Sequence, residues 1–88
     1  SNNVIEFLQS EGYIRFKADS EASSKALYEA YQRWCEDNAQ KTMSANRLSS
    51  ELAQNERLYN VEATNNVHAG GKRVRGFVGI EVVNPLPY

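Results

Sequence analysis

Lys72, Arg73 and Arg75 stand with His68 in a stretch, Asn65 to Ile80, that contains no acidic residue. Ammonium and guanidinium groups concentrated in this way suit an anionic partner, above all the phosphodiester backbone of a nucleic acid. The same pattern also fits a solvated hairpin that merely carries surface charge. A second set, Asn46, Ser50 and Gln54, places short uncharged hydrogen-bonding side chains opposite an apolar stripe, with Arg47 beside them. Asn and Gln match the paired donor and acceptor that adenine shows in the major groove, whereas Arg and Lys hold phosphates. The candidate DNA-contacting residues are therefore Asn46, Arg47, Ser50 and Gln54 on a helix, and His68, Lys72, Arg73 and Arg75 on a hairpin.

Other chemistries find no support. Gly70-Gly71-Lys72 resembles the end of a phosphate loop, but Asn66 occupies the first glycine position and Arg73 the hydroxyl position, so the motif fails twice. A glycine pair between two strands is better explained as a tight turn. Cys35 and His68 are the only soft ligands, too few for a structural metal site that needs about four. Cys35 falls on an apolar helix stripe, where a thiol acts as a small hydrophobe. Glu51, Glu56 and Glu62 are spread over separate elements and form no acidic cluster. Tyr31 and Trp34 follow the same stripe and are expected in the core, and Tyr28 lies off it. No catalytic residue, metal or cofactor is expected.

The 88 residues, 41% hydrophobic and 24% charged, suit one small globular domain. A chain of this size buries roughly 60–65% of its unfolded surface, so its core needs most of its large side chains. The net charge of −1 hides an asymmetry: residues 1–40 hold four bases against seven acids, and residues 41–88 hold six bases against four. Apolar runs such as Phe77 to Ile80 fall far short of the roughly 20 residues that span a bilayer. One cysteine allows no internal disulfide, which favours a reducing, cytoplasmic setting. The opening Ser1-Asn2 reads as the remnant of a cleaved tag or a linker.

Asn3 and Glu6 form a capping box for a helix over residues 4–10, which stops at Gly12. Tyr13 to Ala18 alternates as a strand. Asp19-Ser20-Glu21 and Ser23-Ser24 supply caps for a second helix with Leu27, Ala30, Tyr31, Trp34 and Cys35 on one face, ending near Asn38 in a left-handed conformation. Ser44 caps a third helix, with Met43 and Leu48 as a hydrophobic staple. Leu58 to Thr64 alternates again, Asn65 to Lys72 is turn-rich, and Arg73 to Val83 forms a last strand that ends by about Asn84, ahead of Pro85 and Pro87. Ile14, Phe16, Leu27, Tyr31, Trp34, Leu48, Leu52, Val78 and Ile80 are the expected core. The fold class is α+β, a winged helix-turn-helix of three helices with a small antiparallel sheet and a β-hairpin wing.

Leu27-Tyr28-Glu29-Ala30-Tyr31-Gln32-Arg33-Trp34-Cys35 with Val4 to Leu8 before it, Ser44 to Leu52 after it, and Gly71-Lys72-Arg73-Val74-Arg75-Gly76-Phe77-Val78-Gly79-Ile80 at the end resemble a known pattern. It is the C-terminal domain of phage and plasmid primase/helicase proteins, whose helicase module is of the viral hexameric type. The resemblance covers most of the chain. It implies a DNA-binding winged-helix accessory domain of a prophage replication protein, with ATPase and primer-synthesis sites in upstream helicase and primase domains. Two departures, a less charged helix at Leu48 to Glu56 and a longer hairpin, shift the expected DNA contact toward the wing. On this reading residues 1–3 are tag remnant or linker, 4–84 the winged helix, and 85–88 a tail. The alternative is a winged helix that docks another replisome protein.

Overall fold

The computed structural model describes residues 3–83. Its elements are α1 (Asn3–Gln9), β1 (Ile14–Ser23), α2 (Ser24–Asp37), α3 (Ala45–Gln54), α4 (Glu56–Tyr59), β2 (Glu62–Ala69) and β3 (Lys72–Val82). The class is α+β as expected, but with four helices among the described residues rather than three. The proposed tail at 85–88, with Pro85 and Pro87, lies outside the described residues.

Helices α2 and α3 form where their stripes and caps require. Ser23 Oγ accepts from Ala26 N at 3.0 Å, and Ser44 Oγ accepts from Arg47 N at 3.3 Å, each satisfying a first-turn N–H. Leu27, Ala30, Tyr31, Trp34 and Cys35 are all buried. At the end of α2 the expected left-handed residue is one position later. Asn38 sits at φ −112° and its Nδ2 donates to the Trp34 carbonyl at 2.9 Å, while Ala39 takes the left-handed turn at φ 53°.

The sheet is antiparallel in the order β1-β3-β2. It departs from the sequence reading in three places, each for a local reason. First, β1 runs on to Ser23, so Asp19 to Glu21 are strand rather than cap. Between the Phe16–Ile80 and Glu21–Val78 pairs, residues 17–20 bulge opposite Gly79 alone. Second, Leu58 and Tyr59 belong to the single turn α4, not to a strand. Asn60 ends that turn at φ 57° and β2 begins only at Glu62. Third, Asn65 to Ala69 is strand, and the turn is Gly70-Gly71 alone at φ 58° and 78°, the two positive values that a two-residue hairpin needs.

Gly79 decides which β3 side chains enter the core. Its φ of +98° breaks the two-residue alternation, so Phe77 and Ile80, three positions apart, are both buried. Val78, expected inside, is half-buried, and Phe77 takes its place. Phe16, also expected inside, is 37% exposed and stacks on Tyr59 with ring centroids 5.5 Å apart. The remaining expected positions, Ile14, Leu27, Tyr31, Trp34, Leu48, Leu52 and Ile80, are joined by Val4, Phe7, Leu8, Ala30, Cys35 and Val61 in one cluster. Phe7 of α1 meets Tyr31 edge-on at 5.4 Å.

One polar node crosses this core. The Tyr31 hydroxyl donates to Asn3 Oδ1 at 2.6 Å and accepts from the Met43 backbone N–H at 2.9 Å. Asn3 Nδ2 donates to the Lys41 carbonyl at 2.7 Å, and the Tyr28 hydroxyl donates to the Met43 carbonyl at 2.8 Å. Asn3, placed by the sequence at the edge of the domain, is thus buried within α1. The loop from α2 to α3 is tied on both sides to side chains of α1 and α2.

Tyr31→Phe keeps the ring but leaves the Met43 N–H and Asn3 Oδ1 without a partner, and is expected to cost about 1–3 kcal/mol in chemical denaturation. Burial raises the Tyr31 hydroxyl above its ordinary value. The folded chain therefore keeps that proton where the unfolded chain has lost it. Stability contributed by Tyr31 is complete below the unfolded value of about 10 and is lost as pH rises through the folded one, a slope that Tyr31→Phe should remove. Trp34→Ala should cost about 3–5 kcal/mol, as aromatic truncations in a core do.

Candidate nucleic-acid interface

The polar side of α3 is presented as the sequence predicts. Leu48 and Leu52 point inward, and Asn46, Arg47, Ser50 and Gln54 are exposed. Ser44 anchors the N-terminal end of that face and the Met43 bonds hold the loop before it. Along the helix, Arg47, Ser50, Glu51 and Gln54 line a cleft of about 370 Å³. Glu51 is a negative charge that the sequence reading left out of this face. Its carboxylate accepts from Asn55 Nδ2 at 3.2 Å and from the Tyr59 hydroxyl at 3.4 Å. Burial, followed by the Glu51 charge, pushes the Tyr59 hydroxyl up. The positive end of the α3 face is therefore its beginning, at Arg47.

On the hairpin, Lys72, Arg73 and Arg75 are exposed at the start of β3. Among the described residues none of the three, nor Arg47, has a carboxylate within ion-pair distance. His68 is placed differently from expectation. It lies in β2 opposite Arg73 rather than in the turn, because Gly70-Gly71 close the hairpin further out. Its backbone N–H donates to Glu21 Oε2 at 2.9 Å, and its Nδ1 lies 3.7 Å from the same oxygen. The stretch that is free of acid in sequence thus receives one from β1, and that bond fastens the hairpin to β1.

The hairpin approaches α3 at Arg75, on the Ser49 and Ala53 side of the helix, whereas Arg47, Ser50 and Gln54 line a separate cleft. In β2 the residues Asn65 and Asn66 stand opposite Arg75 alone, between the Thr64–Gly76 and Val67–Val74 pairs. This bulge bends the hairpin where Arg75, Asn65 and Phe77 face Ser49 and Ala53 of α3 across a cleft of about 240 Å³. Lys72 and Arg73 lie farther out, beside the turn. Sequence reasoning missed Ser24 and Ser49, which also line this cleft, and their small hydroxyls gave no pattern to find. It also missed Lys41, which joins Arg47, Met43 and Asn3 around a second cleft of about 520 Å³ at the start of α3. A lone loop base directly before a capped helix was the available signal.

Among the described residues no group of three or more His, Cys, Asp or Glu comes together to hold a metal ion. Cys35 is buried in the core. No described helix is long and apolar enough to cross a membrane.

Comparison with curated proteins and with solved structures gave no match. The family model described as Poxvirus D5 protein-like matches residues 1–77, which include α1 to α4, β2 and the basic first half of β3. The chain belongs to the Poxvirus D5 protein-like family, which links it to the primase-helicase type of replication protein found in poxviruses and phages.

Proposed function

We propose that residues 4–84 form a winged helix that binds DNA, with α3 as recognition helix and the β2–β3 hairpin as wing, in a phage-type primase/helicase. The observation behind this reading is the set of four bases, Arg47 on α3 and Lys72, Arg73 and Arg75 on the hairpin, exposed without carboxylate partners among the described residues. The element order, helix-strand-helix-helix before a hairpin, supports it, as does the pairing of β1 with β3, the second strand of that hairpin and the central strand of the sheet. The domain itself is non-catalytic and uses no cofactor. Helicase and primase chemistry belongs to upstream domains of a prophage protein, in the cytoplasm. Here the wing and Arg47 hold phosphates, and Asn46, Ser50 and Gln54 meet base edges. His68, held by Glu21, borders the contact.

A second reading, a winged helix that docks another replisome protein, is favoured by Leu58, which is 74% exposed beside the open Phe16–Tyr59 stack. Salt dependence separates the two. If each of the four bases neutralises one phosphate, log K falls with log salt at a slope of about −3.6, a loss of roughly 150-fold between 50 and 200 mM. Replacing Lys72, Arg73 and Arg75 together with alanine should flatten the slope by nearly 3, since each phosphate contact adds about 0.9. Fluorescence anisotropy over a salt series reads this directly. An unchanged slope in the folded triple variant removes the wing from DNA and leaves the docking reading.

A further inference from the structure

The cleft between α3 and the base of the hairpin is only partly used by the reading above, which draws on Arg75 alone. It measures about 240 Å³. Its lining comes from α2 (Ser24), α3 (Ser49 and Ala53), β2 (Asn65) and β3 (Arg75). Arg75 is the one charged residue on its wall, so the cleft carries a single positive charge and no carboxylate. Ser24 and Ser49 are half-buried, and among the described residues their hydroxyls meet no hydrogen-bond partner. A half-buried hydroxyl without a protein partner is open to ordered water or to a ligand.

We propose that this cleft seats one backbone phosphodiester of a DNA strand that passes between α3 and the hairpin. Arg75 supplies the counter-charge, and the Ser24 and Ser49 hydroxyls donate to the two non-bridging oxygens. A phosphodiester carries one negative charge, matching the one cation, and its two exposed oxygens each accept more than one bond. The short side chains of Ala53 and Ser49 leave the strand room to approach the α3 backbone closely. This subsite rests on the DNA-binding reading and deepens it by adding two neutral donors, whose removal has a different signature from the loss of a base.

Anisotropy with a fluorescent duplex tests it on the 88-residue chain. The Ser24→Ala/Ser49→Ala double variant should bind about ten-fold more weakly at fixed salt with an unchanged slope, because neutral donors release no counterions. Arg75→Gln should lower the slope by about 0.9. Ser49→Asp, which sets a carboxylate against the phosphate, should weaken binding further than the double variant. A scan of single methylphosphonates along the DNA, which needs no variant to fold, should find one position that weakens the native chain. That position should matter little to the double variant or to Arg75→Gln. If the double variant binds within about two-fold of the native chain while the wing triple variant still flattens the slope, the cleft holds no phosphate and the DNA reading stands. If the native chain binds no DNA at low salt, both fall together.

Discussion

The Tyr31 hydroxyl, held between Asn3 Oδ1 and the Met43 N–H, is the interaction on which the presentation of α3 depends. The loop from α2 to α3 has little regular structure of its own. After the Gln40 N–H bonds back to the Cys35 carbonyl at 2.8 Å, the loop is fixed by side chains: Asn3 on Lys41, and Tyr31 and Tyr28 on Met43. Ser44, the cap of α3, follows directly. A buried hydroxyl that both donates and accepts has one favourable placement, and it sets where α3 begins. Leu48 and Leu52 then fix its rotation against the core, which leaves Asn46, Arg47, Ser50 and Gln54 outward.

A second constraint sits at the other end of the interface. Gly79 adopts a backbone conformation that carries β3 from one alternation to another, and this brings Phe77 into the core. With Phe77 inward, Arg75 two residues earlier falls on the same side of the strand and faces α3. The β2 bulge at Asn65 and Asn66, opposite Arg75, and the bond from His68 N–H to Glu21 then set the bend of the hairpin. The basic residues are thus aimed by backbone features near the sheet centre, while the charges themselves contribute little to the fold. An exposed Arg15–Glu81 ion pair also links β1 and β3. Its guanidinium holds Glu81 below the usual carboxylate range.

The parts legible in the sequence were those governed by periodicity and by capping. The stripe of α2, the Ser44 cap and the outward set on α3 could be read because a helix repeats one rule over several turns. The parts that were not legible depend on single residues whose effect is tertiary. Gly79 looks like any strand glycine until its positive φ moves Phe77 inward and Val78 outward. Asn60 hides the helical turn before it, so Leu58 and Tyr59 resemble strand. Asn3 reads as a simple cap, and only the folded chain shows its side chain bridging Tyr31 and Lys41. In the site, the bases were visible as an acid-free run, but Glu21, 47 positions before His68, could be placed beside them only by the sheet.

The central claim is that α3 and the hairpin together form one anionic-ligand face. Amide chemical-shift mapping during titration with duplex DNA tests it most directly. The account predicts that the largest shifts fall on Asn46, Arg47, Ser49, Ser50 and residues 72–76, with α1 and the Phe16–Tyr59–Leu58 surface unmoved. Shifts confined to Leu58, Tyr59 and Phe16, or absent from α3 and the hairpin, would contradict it.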